Sequence, residues 1–306
     1  MTVIGDLINM LCQSLLTICV TMMATMGISL IFKTSNTTNF AQGSIASLGC
    51  YLVAYLLRVW CPQMHYIFGI LIGVVAGVAL GLIIDLGIFR NGKNVNAVGK
   101  QIITMGMVTI IIAAIPLIFS NAPAPQLYAF VEGNIAFELF GVNISITKHS
   151  LVCLGITAVV LGVLFFLLYK SKWGLGVRAT ASNESTAGII GINTYVITAT
   201  SWAIAAGLAV LSSVMLAAGN ATLSATFMTQ IQVNSFLSGI LGGFSTFFGP
   251  IVGAAIVPAL TNVVGWVGLY ADFFQKFCDV IVYAVLLVVI LIKPQGLFGK
   301  KVVKKV

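Results

Sequence analysis

Residues 66–89 read YIFGILIGVVAGVALGLIIDLGIF, twenty-four positions with a single formal charge, Asp85. At about 1.5 Å rise per residue, roughly 20 apolar residues carry a helix across the hydrocarbon core of a bilayer. The stretch therefore reads as a membrane span. Gly73, Gly77 and Gly81 recur every fourth position, on one helical face. Small residues at that spacing let helices approach closely, through tight packing or as a sliding, gating surface. Asp85 lies five residues before Arg90, about one turn from the predicted interface. It reads as an Arg-paired or snorkelled structural carboxylate, with a proton relay as the alternative.

The pattern repeats along the chain. The 306 residues are 59% hydrophobic and carry 15 Lys and Arg against 7 Asp and Glu. A soluble domain of this size needs far more charge to coat its surface. Charge-free gaps run between Asp6 and Lys33, Lys33 and Arg58, Lys100 and Glu132, and Lys148 and Lys170, and the longest lies between Glu184 and Asp272. The expected fold is an all-α polytopic membrane protein, one transmembrane domain over residues 1–306. It has about eight spans (seven to nine): 7–32, 40–57, 66–89, 101–119, 150–169, 194–218, 235–265 and 278–292. Strict strand alternation is not read anywhere, which argues against a barrel. Gly249-Pro250 is expected to break the 235–265 segment into two pieces or a re-entrant pair, with Ser245-Thr246 as a cap.

Basic residues orient the spans. Lys33, Arg90, Lys93, Lys100, Lys170, Lys172, Arg178, Lys293, Lys300, Lys301, Lys304 and Lys305 fall on one side, and Arg58, Lys148 and Lys276 on the other. Twelve against three places the 170–193 loop and the C-terminus in the cytoplasm and the 120–149 loop outside. The N-terminus reads as the first span and not as a cleaved signal.

Much chemistry is missing from the sequence. No Gly-x4-Gly-Lys-Ser/Thr phosphate loop occurs, so ATP hydrolysis by that route is not expected. His65 and His149 belong to no metal-spaced cluster, and no metal or cofactor is expected in this chain. The six cysteines read as apolar packing residues, with a Cys61–Cys278 bridge left open. At membrane depth the polar residues are neutral: Asn39, Gln42, Ser44, Ser47, Asn220, Thr229, Gln230, Gln232, Asn234, Ser235 and Ser238. They can line a solute path, Asn39, Gln42, Ser44, Asn234, Ser235 and Ser238 being the chosen candidates, or can equally make interhelical hydrogen bonds. Asn39-Phe40-Ala41-Gln42-Gly43-Ser44 and Asn234-Ser235-Phe236-Leu237-Ser238-Gly239 both open apolar helices with small polar residues. Their positions in the two halves of the chain suggest an internal repeat, an arrangement that brings helix N-termini together. Gly242, Gly243, Gly249 and Gly253 repeat the small-residue theme.

The loop after the fifth span mixes charge with small residues. Arg178 to Ile190 is expected to form one short helix exposing Ala179, Ser182 and Ala187 with Arg178, Asn183 and Glu184. Such a helix suits a groove on another protein, or serves as an interfacial linker. The spacing of Gly176, Arg178, Ala179, Asn183, Ala187, Gly191, Ile192 and Asn193 resembles the signature loop of branched-chain amino acid permeases of ATP-binding cassette importers. Asn39-Phe40-Ala41-Gln42-Gly43 resembles that family's Asn-Phe-Ala-His/Gln-Gly helix start. Leu241-Gly242-Gly243, Gly249-Pro250, Gly253 and Lys293-Pro294-Gln295-Gly296-Leu297-Phe298-Gly299 resemble its glycine core and its final motif.

The resemblance implies a multi-pass subunit of a bacterial cytoplasmic (inner) membrane. It would pair with a second permease subunit, identical or related, and with two cytoplasmic ATP-binding subunits that hold ATP and Mg. Those subunits would engage residues about 178–190, with Gly176, Arg178, Ala179, Asn183, Glu184, Ala187 and Gly191 as coupling residues. An extracytoplasmic solute-binding protein would deliver a branched-chain or similar small amino acid. Urea, amides or nucleosides are alternatives within the family. A self-contained channel or secondary carrier is the alternative outside it.

Overall fold

The computed structural model describes residues 2–92, 95–119, 125–139, 142–220, 223–268 and 271–299. Lys93, the four lysines after residue 299, and residues 120–124 and 140–141 of the expected outer loop lie outside these. The described residues form a helical bundle with one small hairpin, an all-α polytopic membrane protein. The helices are α1 (Thr2–Gln13), α2 (Leu15–Ser35), α3 (Gln42–Tyr55), α4 (Tyr66–Ile84), α5 (Ala97–Phe119), α6 (Lys148–Lys170), α7 (Lys172–Ser182), α8 (Glu184–Ile189), α9 (Thr194–Asn220), α10 (Thr229–Gly242), α11 (Phe248–Gly268), α12 (Asp272–Lys276) and α13 (Cys278–Ile292). π-Helical turns Leu56–Trp60 and Asp85–Phe89 extend α3 and α4. Seven of these helices, with their extensions, are long and apolar enough to cross a membrane, and α13 is a shorter apolar helix.

Burial sorts the helices into two shells. α2 and α9 are enclosed on most sides, and their apolar residues point all round instead of along one stripe. α4, α5 and α6 bury one stripe each. On α5 the stripe is Thr104, Met107, Ile111, Ile115 and Phe119; on α6 it runs from His149 through Cys153, Thr157 and Leu161 to Leu168. Their outward faces carry large apolar side chains such as Ile110, Leu117 and Phe166, exposed as a lipid-facing surface requires.

The buried stripe of α4 is glycine: Gly69, Gly73, Gly77 and Gly81, then Ile84. A Cβ at Gly77 would lie 2.6 Å from Val210 Cγ2, and one at Gly81 2.5 Å from the Trp202 carbonyl oxygen, both on α9. Gly73 meets Val53 of α3 in the same way. Bare backbone is what lets α4 lie against both helices.

Three local expectations differ. The first span is two helices, α1 and α2, with Ser14 between them; its hydroxyl donates to the Leu11 carbonyl at 2.7 Å. The break in the 235–265 segment falls at Gly243–Phe247, not at Gly249-Pro250. Gly243 adopts φ +89°, which ends α10. Pro250 sits in the first turn of α11, where its missing N–H is no loss, and the Thr246 hydroxyl accepts the Gly249 N–H at 3.0 Å. Finally, part of the outer loop forms an antiparallel hairpin of β1 (Asn134–Leu139) and β2 (Val142–Thr147), with Ala136 opposite Ser145.

At the α10–α11 corner Gly242 and Gly249 meet backbone to backbone, and Gly253 lies against the Ser238 carbonyl. The segment after α13 closes this corner. Leu297 N–H donates to the Leu241 carbonyl at 2.7 Å and Phe298 N–H to the Gly242 carbonyl at 3.2 Å, satisfying two of the free carbonyls at the end of α10. Lys33 Nζ donates to the Ser245 carbonyl at 2.8 Å. Lys33, Arg90, Lys100 and Arg178 thus gather at one end of the bundle, with α7 and α8. Arg58, Glu132 and Lys148 lie at the other, with the hairpin and α1, where Arg58 donates to the Tyr128 hydroxyl at 2.6 Å and Ser145 N–H to Asn9 Oδ1 at 3.0 Å.

Candidate functional site

The chain enters α3 deep inside the bundle. Asn39 Oδ1 accepts the Ala41 N–H at 3.0 Å, closing a turn, and Asn39 Nδ2 donates to Gln42 Oε1 at 3.1 Å. Gln42 Nε2 then donates to the Ala205 carbonyl at 2.8 Å. Ala205 is the twelfth residue of the 27-residue α9, so α3 begins opposite the middle of a spanning helix. Gly27 makes room for this: a Cβ there would lie 2.7 Å from Gln42 Nε2 and 3.2 Å from the Ala205 oxygen.

α10 begins at the same depth. Gln232, in its first turn, accepts the Gly43 N–H at 2.5 Å through Oε1 and donates to the Phe40 carbonyl through Nε2. Phe40 and Phe236 pack with ring centroids 5.1 Å apart. Thr25, the eleventh residue of the 21-residue α2, donates to the Ser235 carbonyl at 3.4 Å. Two helix N-termini, each carrying partial positive charge, therefore face one another between the middles of α2 and α9. The hydroxyls of Ser29, Ser47 and Ser235 are buried here without a protein partner among the described residues. Neither α3 nor α10 carries a formal charge before Arg58 in the π turn of α3. A narrow cavity between Ala24, Gly43, Ala209, Met228 and Gln232 lies at the junction.

Of the six path candidates, Asn39, Gln42 and Ser235 meet at this junction. Ser44 is buried beside it, donating to the Ala41 carbonyl at 2.9 Å. Asn234 turns away and accepts from the Tyr283 hydroxyl at 3.1 Å. Ser238 donates to the Asn234 carbonyl at 2.6 Å and lies on the α11 side. Gln232, one of the neutral polar residues at membrane depth, also belongs to the junction, as does Gly27, which the sequence does not single out. Gln232 is legible as a glutamine in an apolar helix start; Gly27 carries no local signal.

The expected single helix over Arg178–Ile190 is two. Asn183 takes extended dihedrals (φ −161°, ψ 108°) and its Oδ1 accepts the Thr186 N–H at 3.0 Å, so it ends α7 and caps α8. Gly176 is buried where a Cβ would come 2.8 Å from Ile197 Cδ1, and Trp173 Nε1 donates to Thr200 Oγ1 at 2.8 Å; both hold α7 on α9. Ala187 is 2% exposed and faces the bundle, contrary to the exposed face expected for it, because the turn at Asn183 rotates α8. Ala179 is half-buried. Arg178, Ser182, Asn183, Glu184 and Gly191 are exposed, and Ile189 and Ile190 stand out beside them at 85% and 68% exposure. Gly191 takes φ +89°, turning the chain toward Asn193, whose Oδ1 accepts the Val196 N–H at 3.3 Å at the start of α9.

Among the described residues no group of three or more His, Cys, Asp or Glu could hold a metal, and all six cysteines are free. His149 accepts the Phe130 N–H at 3.1 Å and bonds the Met215 carbonyl at 2.9 Å, a packing role under the hairpin.

Residues 10–291 match the family model described as branched-chain amino acid transport system / permease component. The probable branched-chain amino acid transport permease protein LivH of Methanocaldococcus jannaschii is 26% identical over 282 residues, spanning 90% of this chain and 87% of that protein. The high-affinity branched-chain amino acid transport system permease protein LivH of Escherichia coli is 24% identical, spanning 92% and 91%. BraD of Pseudomonas aeruginosa, a permease protein of the same description, is 23% identical, spanning 92% of each. No solved structure matches the chain significantly. With the family pattern matched across nearly its whole length, this chain belongs to the family of branched-chain amino acid transport system permease components.

Proposed function

We propose that this chain is the membrane-spanning subunit of an ATP-driven importer for branched-chain or related small amino acids. The observation that carries the reading is the meeting of the α3 and α10 N-termini opposite the middles of α2 and α9. Helix N-termini stabilise negative charge, and paired half-helices in the centre of a bundle are a recurrent way to receive a substrate carboxylate. The amides of Gln42 and Gln232 and the hydroxyl of Ser235 supply neutral polar contacts, suited to a solute with no net charge. Both glutamines bond across helices, so any motion of α10 against α9 remakes this junction.

Energy comes from outside the chain in this reading. Two cytoplasmic ATP-binding subunits hold ATP and Mg and seat on the surface of Arg178, Asn183, Glu184, Ile189 and Ile190. A second permease subunit completes the pathway. A solute-binding protein docks at the hairpin end, and the C-terminus lies in the cytoplasm. Movement of α7–α8 passes to α9 through Gly176 and Trp173, and from α9 to Gln42 through the Ala205 carbonyl.

The test is reconstitution. The chain is coexpressed with its candidate ATP-binding subunits, copurified, and placed in proteoliposomes with the binding protein. ATP-dependent uptake of radiolabelled leucine, isoleucine or valine is the expected result. Uptake by the chain alone without ATP would overturn the reading, and selective uptake of urea or amides would move the substrate assignment.

A further inference from the structure

A second polar cavity opens at the other end of the mechanism. It lies where the end of α4, the start of α5, the α8 turn and the start of α9 meet, and is lined by Ser35, Asp85, Arg90, Lys100, Glu184 and Tyr195, among others. It is roomy enough for a small organic ion and not merely a single water. Two carboxylates and two cations share its wall.

Asp85 is the unusual member. It is 5% exposed and set in the cavity wall, with the charges of Arg90 and Lys100 near enough to act on it. A buried carboxylate is costly unless neighbouring charges or a bound cation offset it. Arg90 acts on Asp85 at a distance, and its guanidinium lies over the Tyr195 ring, 5.7 Å from the centroid. The backbone nevertheless sets the two up together. In an α-helix, residues five apart point about 140° away from each other. The π turn closes its circuit over i to i+5, with Arg90 N–H donating to the Asp85 carbonyl at 2.8 Å, so both side chains leave from one face. π turns inside helices are often found at functional sites. Glu184, across the cavity, is the first residue of α8.

We propose that this cavity binds a compact zwitterion, its ammonium group between Asp85 and Glu184 and its carboxylate or phosphate on Arg90 and Lys100. A simple anion would meet Asp85 and Glu184, and a simple cation would meet Arg90 and Lys100; only a ligand carrying both charges satisfies the wall. Two sources share this chemistry, a free α-amino acid and the ethanolamine headgroup of a phospholipid. A ligand bridging the α4 end and Glu184 ties α8 to the bundle, so its occupancy restrains the surface on which the ATP-binding subunits are proposed to seat. That consequence rests on the transport reading above; the binding site itself does not.

The experiment uses the permease with its copurifying subunits in nanodiscs of phosphatidylglycerol, and measures equilibrium binding of radiolabelled L-leucine. Saturable binding is expected, weakened about tenfold or more in Asp85→Asn and in Arg90→Gln, as loss of a charge-assisted contact implies. Leucinol and 4-methylpentanoate, which carry one charge each, are expected not to compete. In discs containing phosphatidylethanolamine, retention of that lipid in native mass spectrometry, lost in Arg90→Gln, assigns the site to a headgroup and supports the same chemistry. Arg90 is exposed, so its substitution keeps the test readable if Asp85→Asn misfolds. Absence of both leucine binding and lipid retention overturns the proposal, as does leucine binding indifferent to both substitutions or competed equally by the single-charge analogues. ATP-driven uptake without substitution-sensitive binding defeats this site alone; substitution-sensitive binding without ATP-driven uptake defeats the transport reading alone.

Discussion

Replacing Gly81 by alanine adds one methyl group at the tightest part of the α4–α9 seam. The new Cβ would lie 2.5 Å from the Trp202 carbonyl oxygen and 2.9 Å from Ala206 Cβ. Carbon atoms settle about 3.5–4.0 Å apart, so α4 must move outward by at least about 0.6 Å. Trp202 cannot yield easily, because its indole is fully buried and stacked on Phe89 at 4.8 Å. A gap of about 0.5–1 Å forfeits a quarter to a half of each dispersion contact, and the loss extends to Gly77 and Val210 one turn away. Overpacking of this kind costs about 1–3 kcal/mol. Gly106 and Gly155, where an added methyl would meet nothing within 4 Å, are the controls. Alanine there gains helix propensity of up to about 1 kcal/mol. Gly81→Ala gains the same propensity inside α4, so that part cancels and the difference from either control should be about 1–3 kcal/mol, read as unfolding in mixed micelles of rising SDS fraction followed by tryptophan fluorescence. Equal stability of Gly81→Ala and Gly106→Ala, within about 0.5 kcal/mol, would refute the idea that this seam is backbone-close.

Three further outcomes follow from contacts described above. Gln232→Leu strands the Gly43 N–H and the Phe40 carbonyl at a cost of about 1–3 kcal/mol, and is expected to reduce leucine uptake at matched expression; unchanged uptake would remove Gln232 from the path. Asn183→Ala removes the cap on α8, worth about 1 kcal/mol, and lets α7 run on. Stimulated ATPase activity should drop while membrane insertion persists, and full stimulation would show that the bend is dispensable. Leu297→Pro deletes the N–H that caps the Leu241 carbonyl, so the α10–α11 corner should become sensitive to added protease, losing about 1–3 kcal/mol; wild-type resistance would mean the tail is a passenger.

The spans were legible because each is a long apolar run between charges, and lipid demands little more than that. The glycine stripe on α4 was legible for the same reason that it packs, its repeat of four. The mid-bundle site was half legible. Asn39, Gln42 and Ser235 stood out as polar residues in apolar surroundings, but Asn234 and Ser238 share that character and face other helices. Which way a serine or asparagine turns depends on the rotation of α10, and that is fixed by contacts with α2 and α11 far away in sequence. Ala187 failed as an exposed residue because one side chain, Asn183, redirected the helix. The hairpin was missed although Asn143-Ile144-Ser145-Ile146-Thr147 alternates polar and apolar, since five residues of alternation are faint beside spans of twenty.

The tie between α10 and the segment after α13 has a consequence in time. Leu297 follows Leu241 by 56 positions, so synthesis delivers α10, α11 and α13 before it delivers the two amides that finish α10. Until then two carbonyls at the α10–α11 corner stay open, and Gly243 and Gly296, each at positive φ, have not yet met. A chain cut within those last positions would hold every described span yet leave this joint unclosed.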